Sequence, residues 1–261
     1  MENKLTPFFS VIISIFQEDD SLLIKSLNSI LNQTFTNFEL IIVDDYPNRK
    51  HIPIKQDYRV KILKNDSNLG LTKSLNKAVK ISCGKFIVRQ DADDYSALNR
   101  LEKTYKFINK LDEKSQLSLI YSSPYSINNK VKPNIFLRSF FNGEILRYKN
   151  FLCHGCLVIS SELLKDNLYN EKFKFAQDFE LYNRLLDLGY KILFDNNNLS
   201  YFLNDLPERV SKKFYYQQKQ FYYQVLERNN YSLFTIRLFE WLRIDILLDF
   251  YIILCKKVRK K

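Results

Sequence analysis

The chain has 261 residues, of which 46% are hydrophobic and 15% aromatic, and its formal net charge is +11. This composition excludes a low-complexity or disordered chain and is sufficient for one substantial core with an appendage. The excess of Lys and Arg favours anionic partners, namely nucleic acid, anionic lipid or a phosphorylated small molecule. Four scattered cysteines are too few for a disulfide framework, which indicates a reducing, cytoplasmic setting.

Neither end of the chain predicts a segment that crosses a membrane. Residues 1–7 have no apolar segment behind a basic one, as a signal peptide would have. The longest apolar stretch, near 241–255, is interrupted by Arg243, Asp245 and Asp249. It falls short of the ~20 apolar residues that span a bilayer. We therefore expect neither a signal peptide nor a membrane span.

Apolar runs and helical spacings alternate along the chain, in the order strand, helix, strand. The run at 8–16 is nearly continuous and β-branched, which predicts a strand buried on both faces. Asp19, Asp20 and Ser21 offer N-caps to the first helix. The predicted strands are 8–16, 38–43, 60–63, 85–88, 117–121 and 157–159, and the predicted helices are 19–31, 70–82, 98–111 and 176–188.

This alternation predicts an α/β fold with a mainly parallel sheet that is covered by helices on both faces. From Pro207 onward the pattern becomes helical and aromatic-rich, so we place a boundary near 205. The predicted domains are an α/β domain at 1–205 and a helical extension with a basic tail at 206–261. Ligands of such sheets bind beyond the carboxyl ends of the strands, where Asp44-Asp45 and Asp91 to Asp94 should share one crevice.

Three carboxylates stand within four positions at the end of a predicted buried strand. Asp91 and Asp93 have the oxygen ligands that Mg2+ and Mn2+ prefer, and such ions are held by one or two carboxylates plus substrate phosphates. A bound ion would also relieve the repulsion between the carboxylates. The alternative is a solvated acidic turn that caps the helix near Leu98.

Asp44, Asp45 and Asp178 each allow two interpretations. The pair Asp44-Asp45 either accepts hydrogen bonds from a base or ribose, or forms a turn or helix cap. Asp178 is either the N-cap of its helix or a general base that is aimed into the crevice. The residues alone do not choose between these roles.

Two further segments have both a functional and a structural interpretation. Cys153-His154-Gly155-Cys156 resembles half of a zinc site, but no second cysteine pair exists, so a pocket-lining role for His154 is favoured. The helical pattern at 241–255 precedes a basic tail at 256–261. Such a segment either lies on an anionic membrane surface or packs on the domain with a solvated tail.

Five segments, in this order, resemble the family 2 inverting glycosyltransferases of the GT-A fold, of the type that builds bacterial surface polysaccharides. Together they cover roughly residues 8–205. They are SVIISIFQE (10–18), SLNSILNQTFTNFELIIVDD (26–45), NLGLTKSLNKAVKISCGKFIVRQDADD (68–94, ending in the DxD motif), CHGCLVISSELL (153–164) and FAQDFELYNRLLDLG (175–189). The resemblance implies a mixed, mainly parallel, Rossmann-like sheet flanked by helices, with a C-terminal helical extension.

The resemblance also implies a role for each matching residue. Asp93 would ligate Mn2+ or Mg2+ on the diphosphate, Asp94 and His154 would line the sugar and acceptor pocket, and Asp178 would be the catalytic base. Two positions depart from the family pattern: the usual Tyr is Phe16, which lacks the hydroxyl, and Tyr46-Pro47-Asn48 replaces Gly-Ser. The nucleotide would be bound by Ser14, Phe16, Glu18, Asp44, Asp45 and Asp91.

The implied function is transfer of a hexosyl or N-acetylhexosaminyl group from a UDP-sugar to a hydroxyl of a glycan or lipid-linked acceptor, forming a β-linkage. The product would belong to a capsule, O-antigen or lipooligosaccharide. The protein would be cytoplasmic and in peripheral contact with the anionic inner face of the cytoplasmic membrane.

Two other classes compete with this function. A sugar nucleotidyltransferase should carry a Gly-rich, basic loop after the first strand, and IFQEDDSLL has neither feature. A non-catalytic nucleic-acid-binding protein is suggested by the charge, but an acidic crevice and the absence of a nucleic-acid motif argue against nucleic acid as a partner.

Overall fold

A computed structural model describes residues 6–122, 124–126, 144–147, 150, 152–195, 198, 200–203, 214–229 and 232. The predicted tail at 256–261 and the apolar segment at 241–255 lie outside these residues. The strands are β1 Phe9–Ile15, β2 Phe38–Asp44, β3 Val60–Lys64, β4 Phe86–Arg89, β5 Tyr95–Ser96, β6 Leu119–Ser122, β7 Pro124–Ser126, β8 Leu157–Ser160, β9 Ile192–Asp195 and β10 Tyr201–Leu203. The helices are α1 Asp20–Leu31, α2 Leu71–Ile81, α3 Arg100–Ile108, α4 Glu113–Gln116, α5 Ser161–Asp166, α6 Gln177–Asp187 and α7 Tyr215–Arg228, with 3-10 turns at Glu144–Arg147 and His154–Cys156.

The central sheet has seven strands in the order β3-β2-β1-β4-β8-β6-β9. The first four run parallel, and α1 connects β1 to β2 while α2 connects β3 to β4. β8 is antiparallel to both β4 and β6. A smaller sheet has the order β5-β10-β7 and lies beside the loop that follows β4. The predicted mixed, mainly parallel α/β sheet is thereby confirmed.

Both faces of the central sheet are buried, as the uninterrupted apolar runs of β1 and β2 predict. Ile12 belongs to the core cluster that also contains α2, α5 and α6, whereas Val11 and Ile13 belong to the cluster on the face covered by α1 and α3. Gly84 brings β1 and β4 together: a Cβ at this position would lie 2.5 Å from the carbonyl carbon of Phe9. Only glycine therefore fits the start of β4 without moving β1.

The helix α7 packs on α6 through a ring pair and an ion pair. Tyr222 stacks on Phe179 with ring centroids 4.8 Å apart, and the Arg228 guanidinium lies 2.7 Å from the buried Glu180 carboxylate. The predicted helical pattern beyond Pro207 is therefore confirmed for Tyr215–Arg228. Within the described part of the chain, no helix combines the length and the apolar character needed to cross a bilayer.

Candidate active site

The carboxyl ends of β1, β2 and β4 lie side by side and bring the predicted acidic residues to one edge of the sheet. Ile15 pairs with Asp44, and the backbone N–H of Asp45 donates to the carbonyl of Ile15 over 2.8 Å. The N–H of Gln90, at the end of β4, donates to the carbonyl of Ile12. Residues that follow these three strands therefore lie at one edge of the sheet, where the sequence predicts a shared crevice.

The loop after β1 places Glu18 and Phe16 at this crevice. The Glu18 carboxylate accepts the N–H of Phe16 at 2.7 Å and lies 3.8 Å from the Arg49 guanidinium. Burial raises the pKa of Glu18, and the negative charge of Asp93 raises it further. The two carboxylates therefore lie close enough to repel each other across the crevice. Ser14, the remaining predicted residue of β1, is half-buried opposite Val43.

Arg49 is a buried cation that sequence reasoning did not identify. Its guanidinium donates to the carbonyl of Phe16 at 2.8 Å and to Asp44 at 3.3 Å. Asp44 also accepts the N–H of Tyr46 at 3.1 Å, so its carboxylate organises the turn after β2. The turn interpretation of Asp44 is therefore confirmed, while contact of Asp44 with a nucleotide stays a prediction.

Asp45 is buried and holds the loop before α2. Its carboxylate accepts three N–H groups: the side-chain amide of Asn65 at 2.7 Å, and the backbone N–H groups of Leu69 and Gly70, each at 2.8 Å. Gly70 has a φ of +84° and no capping side chain, so Asp45 supplies the acceptor at this helix start. Asp45 therefore has the structural role that the sequence left open, and its contact with uracil stays a prediction.

The acidic loop after β4, Asp91 to Asp94, is held from several sides. The Arg89 guanidinium donates to Asp91 at 2.7 Å, and the Gln90 amide donates to the carbonyl of Asp94 at 2.9 Å. Asp91 and Asp93 are half-buried, whereas Asp94 is buried. The strand and the loop thus hold Asp91, for which the resemblance implies a place near the nucleotide, two residues before Asp93, for which it implies contact with the metal.

The carboxylates at this mouth are hard oxygen donors that fit Mg2+ or Mn2+. Among the described residues, no group of three or more His, Cys, Asp or Glu side chains is arranged as a closed metal site. Asp93, with Asp91 or Glu18 beside it, matches an ion that is held by one or two carboxylates and completed by substrate phosphates.

Asp178 is not the N-cap of its helix, so the structural alternative considered for it is wrong. The helix α6 begins at Gln177 and its N-cap is Ala176, with a left-handed φ of 53°. Alanine rarely adopts this conformation, at a cost of ~1 kcal/mol, so the surrounding packing imposes the entry of the chain into α6. The Asp178 carboxylate instead accepts the side-chain amide of Asn150 at 2.9 Å. Asn150 therefore orients Asp178.

His154 and Tyr169 lie between Asp178 and the acidic loop. The His154 Nε2 atom and the Tyr169 hydroxyl are 2.8 Å apart. Burial and the neighbouring Arg89 lower the pKa of His154 to about 4, while Asp178 and Asp91 oppose this effect. Burial raises the pKa of Tyr169 above its ordinary value. Both side chains are therefore neutral near pH 7, and both sense the two carboxylates.

Among the described residues, Cys153 and Cys156 belong to no group of three or more His, Cys, Asp or Glu side chains that could hold a metal ion. Both are free thiols, and a hydrogen bond to Cys156 together with burial raises the pKa of Cys153 well above its ordinary range. The pocket-lining interpretation of His154 fits its position better.

Sequence reasoning missed the residues that hold the predicted ones in place. Arg89 lies just beyond the strand predicted at 85–88, whereas β4 includes it and buries it. A charged residue in a buried strand needs a polar partner, which here is Asp91. Asn150 and Tyr201 gave no signal, because each acts across the fold on a residue far away in the chain. Tyr201 accepts the N–H of Asp91 at 3.1 Å and donates to Asp94 at 3.0 Å.

With this geometry in hand, comparison with known proteins identifies the family. The profile of glycosyl transferase family 2 matches residues 10–168, which include the acidic loop and most of the central sheet. The chain belongs to glycosyl transferase family 2. It is similar to EpsE of Bacillus subtilis, which is named as a glycosyltransferase from its sequence, at 37% identity over 71% of this chain and 69% of EpsE.

A second relative has a named reaction. The UDP-Glc:alpha-D-GlcNAc-diphosphoundecaprenol beta-1,3-glucosyltransferase WfgD of Escherichia coli is 29% identical over 66% of this chain and 64% of WfgD. This family 2 chain thus spans less than two thirds of the length of WfgD.

Solved structures confirm the GT-A fold. Staphylococcus aureus TarS in complex with UDP-GlcNAc has a TM-score of 0.61 at 22% identity, covering 77% of this chain and 59% of that structure. The mannosyltransferase PcManGT of Pyrobaculum calidifontis, in complex with GDP-Man and Mn2+, has a TM-score of 0.61 at 19% identity and covers 79% and 59%, respectively.

Proposed function

We propose that this family 2 glycosyltransferase transfers a sugar from a UDP-sugar to a hydroxyl of a glycan or lipid-linked acceptor, with inversion, during surface-polysaccharide synthesis. The main support is the placement of two kinds of carboxylate around one crevice: Asp91 and Asp93 after β4, and Asp178 at the start of α6. In support of this arrangement, the negative charges of Asp91 and Asp178 both act on the pKa of the same ring, that of His154. The relatives named above supply the class of donor and acceptor: WfgD takes UDP-Glc and a diphosphoundecaprenol-linked sugar.

The donor half of the crevice is formed by β1, β2 and β4. Phe16 presents its ring, 5.6 Å from Tyr46 and nearly perpendicular to it, as a wall for the base. Asp91 is held by Arg89 at 2.7 Å, within the part of the crevice proposed for the ribose. When Mn2+ or Mg2+ is bound at Asp93, it neutralises the charge of the departing diphosphate.

The acceptor half of the crevice carries the base. Asp178 takes the proton of the acceptor hydroxyl as that oxygen attacks the anomeric carbon from the side opposite the diphosphate. The amide of Asn150 holds one carboxylate oxygen at 2.9 Å and leaves the other for the proton. A single displacement inverts the anomeric carbon, so an α-linked UDP-sugar gives a β-linked product.

UDP release from a panel of UDP-sugars, with Mn2+ and a membrane extract as acceptor source, tests this function. We expect Asp178→Asn to bind UDP like the wild type and to turn over ~100- to 10,000-fold more slowly, because it cannot accept the proton. Asp166→Asn, an exposed carboxylate at the end of α5, is the matched control and should retain full turnover. An α-linked product by NMR, or normal turnover of Asp178→Asn, contradicts the assignment of the base.

Metal dependence is tested through Asp93. Asp93→Ala should lose most turnover while its unfolding transition stays unchanged, because a half-buried loop carboxylate contributes little to the core. Asp166→Ala again serves as the control. Full activity of Asp93→Ala, or of the wild type in excess chelator, would remove the metal from the proposed mechanism.

We also propose that the basic tail at 256–261 holds the enzyme at an anionic membrane. Each basic residue near such a surface contributes ~1 kcal/mol, and the tail carries five. Deletion of 256–261 should therefore reduce sedimentation with anionic vesicles, and added salt should have the same effect. Absence of wild-type binding at low salt would leave the tail without this role.

A further inference from the structure

A buried tyrosine from the small sheet reaches the acidic loop through a space that a glycine leaves open. A Cβ on Gly155 would lie 1.8 Å from the hydroxyl oxygen of Tyr201 and 2.3 Å from the adjoining ring carbon. No side chain can therefore be accommodated at position 155 while Tyr201 keeps its place. Tyr201 itself is fully buried.

The hydroxyl that occupies this space bridges both ends of the acidic loop. It accepts the backbone N–H of Asp91 at 3.1 Å and donates to the Asp94 carboxylate at 3.0 Å. Burial and the negative charges of Asp91 and Asp94 raise the pKa of Tyr201 well above its ordinary value, so the hydroxyl keeps its proton and can donate. Asp93, the proposed metal ligand, lies between the two bridged residues.

Arg100 fixes the walls of the space that holds Tyr201. This fully buried guanidinium donates to the carbonyl of Gly155 at 2.8 Å and to the carbonyl of Arg89 at 3.0 Å. It also donates to the Gln90 side chain at 2.8 Å and lies 4.7 Å from the centre of the Tyr201 ring. One cation thereby joins the end of β4, the turn that contains Gly155, and the tyrosine.

We propose that Tyr201 is a positioning residue, which holds the loop from Asp91 to Asp94 in the form that binds the metal and the nucleotide diphosphate. Three carboxylates within four residues repel one another, and a loop without such a tie would spread to separate them. The hydroxyl of Tyr201 opposes this spreading, and the glycine at 155 makes its approach possible. The ligand named in this inference depends on the proposed function. The geometry of the loop does not depend on it.

The geometry of the loop is tested by amide hydrogen exchange in Tyr201→Phe. This change keeps the ring and removes both the acceptor of the Asp91 N–H and the donor to the Asp94 carboxylate. The Asp91 amide should then exchange about fivefold faster, since one hydrogen bond contributes ~1 kcal/mol. Tyr105→Phe, which removes a hydroxyl from the aromatic cluster with Phe8, is the matched control and should leave the Asp91 amide unchanged. Unchanged exchange in Tyr201→Phe overturns the proposal.

Ligand binding is tested by calorimetry with Mn2+ and UDP. Groups that orient metal ligands typically change metal affinity by about 10- to 100-fold, and we expect this loss in Tyr201→Phe. The KM for the donor should rise, whereas the KM for the acceptor should not, because Asp178 and Asn150 do not contact Tyr201. Equal Mn2+ and UDP affinities in Tyr201→Phe and wild type overturn the proposal. If the wild type binds no UDP, the proposed function fails and the exchange comparison alone decides the positioning role.

Gly155→Ala gives an independent check, because its effect should depend on the hydroxyl of Tyr201. Alone, it should weaken Mn2+ and UDP binding at least as much as Tyr201→Phe. In the double variant the loss should match that of Gly155→Ala alone, because the new Cβ already displaces the whole ring at position 201 and the hydroxyl with it. Losses that multiply overturn the link between the two positions. If Tyr201→Phe does not fold, amide hydrogen exchange in the wild type decides the question. Slow exchange of the Asp91 amide supports its hydrogen bond to Tyr201, and exchange as fast as in an open loop refutes it.

Discussion

The neutral imidazole of His154 makes stability depend on pH in a direction that the structure fixes. Burial and Arg89 lower the pKa of His154 from 6.5 to about 4 in the folded protein. The unfolded chain therefore binds a proton more readily than the folded chain. The contribution of neutral His154 to the free energy of unfolding is fully present above about pH 6.5, and it is lost progressively as the pH falls towards 4.

The magnitude follows from these two pKa values. Near pH 5 the unfolded ring is almost fully protonated and the folded ring almost wholly neutral, so the linkage removes ~2 kcal/mol relative to pH 7. Solvent has partial access to the half-buried ring of His154, which reduces the loss of stability between pH 7 and pH 5 towards ~1 kcal/mol. A loss of this size is readily resolved in the midpoint of a urea transition.

The assay compares urea unfolding of the wild type and His154→Gln at pH 7 and pH 5. Glutamine can still bond to the Tyr169 hydroxyl but does not titrate, so the change in stability between the two pH values should be ~1–2 kcal/mol smaller in the variant. Carboxylates that titrate in both proteins cancel in this difference. His51→Gln removes the other histidine, which is exposed, and should keep the wild-type pH dependence. An identical pH dependence in wild type and His154→Gln would refute the reasoning.

Three further changes test packing and polar contacts by urea unfolding. Gly84→Ala should cost about 1–3 kcal/mol, because the new Cβ would press on the backbone of Phe9; a loss below ~0.5 kcal/mol would mean that β1 yields easily. Asp45→Ala removes the acceptor of three N–H groups and should cost at least ~3 kcal/mol, so an unchanged midpoint would contradict its structural role. Arg228→Met should cost ~1–3 kcal/mol by leaving the buried Glu180 with one fewer cation; no loss would mean that this pair does not hold α7 on α6.

The elements that the sequence predicted best are those with a local signal. The run from Phe8 to Phe16 is apolar on both faces, which only a central strand accommodates, and β1 occupies Phe9–Ile15. Asp19 was one of three candidate caps, and its side chain does accept the N–H of Ser21 at 2.8 Å. Helix ends and strand ends were displaced by a few residues, because hydrogen bonding in three dimensions decides them.

The parts that the sequence missed depend on tertiary contacts. β5 and β10 have two and three residues, too few to show any periodicity, and they form only because Tyr201 and Ser96 pair across the sheet. The residue pattern of α3 does not predict that Arg100 is buried. Arg100 is nevertheless fully buried, and its guanidinium donates to two backbone carbonyls from elsewhere in the chain. The predicted acidic residues were brought together, whereas the residues that hold them could be found only in the folded structure.

The position of β3 at the end of the central sheet also affects how the protein behaves at high concentration. One side of this strand offers backbone N–H and C=O groups on which a strand from another molecule could assemble, and Ile62 beside them is 49% exposed. Lys61 and Lys64 flank that isoleucine, and burying their charges against a second copy would be costly. Replacing both lysines with valine would leave a bare apolar edge, so the lysines protect the enzyme from aggregation as much as they serve its charge.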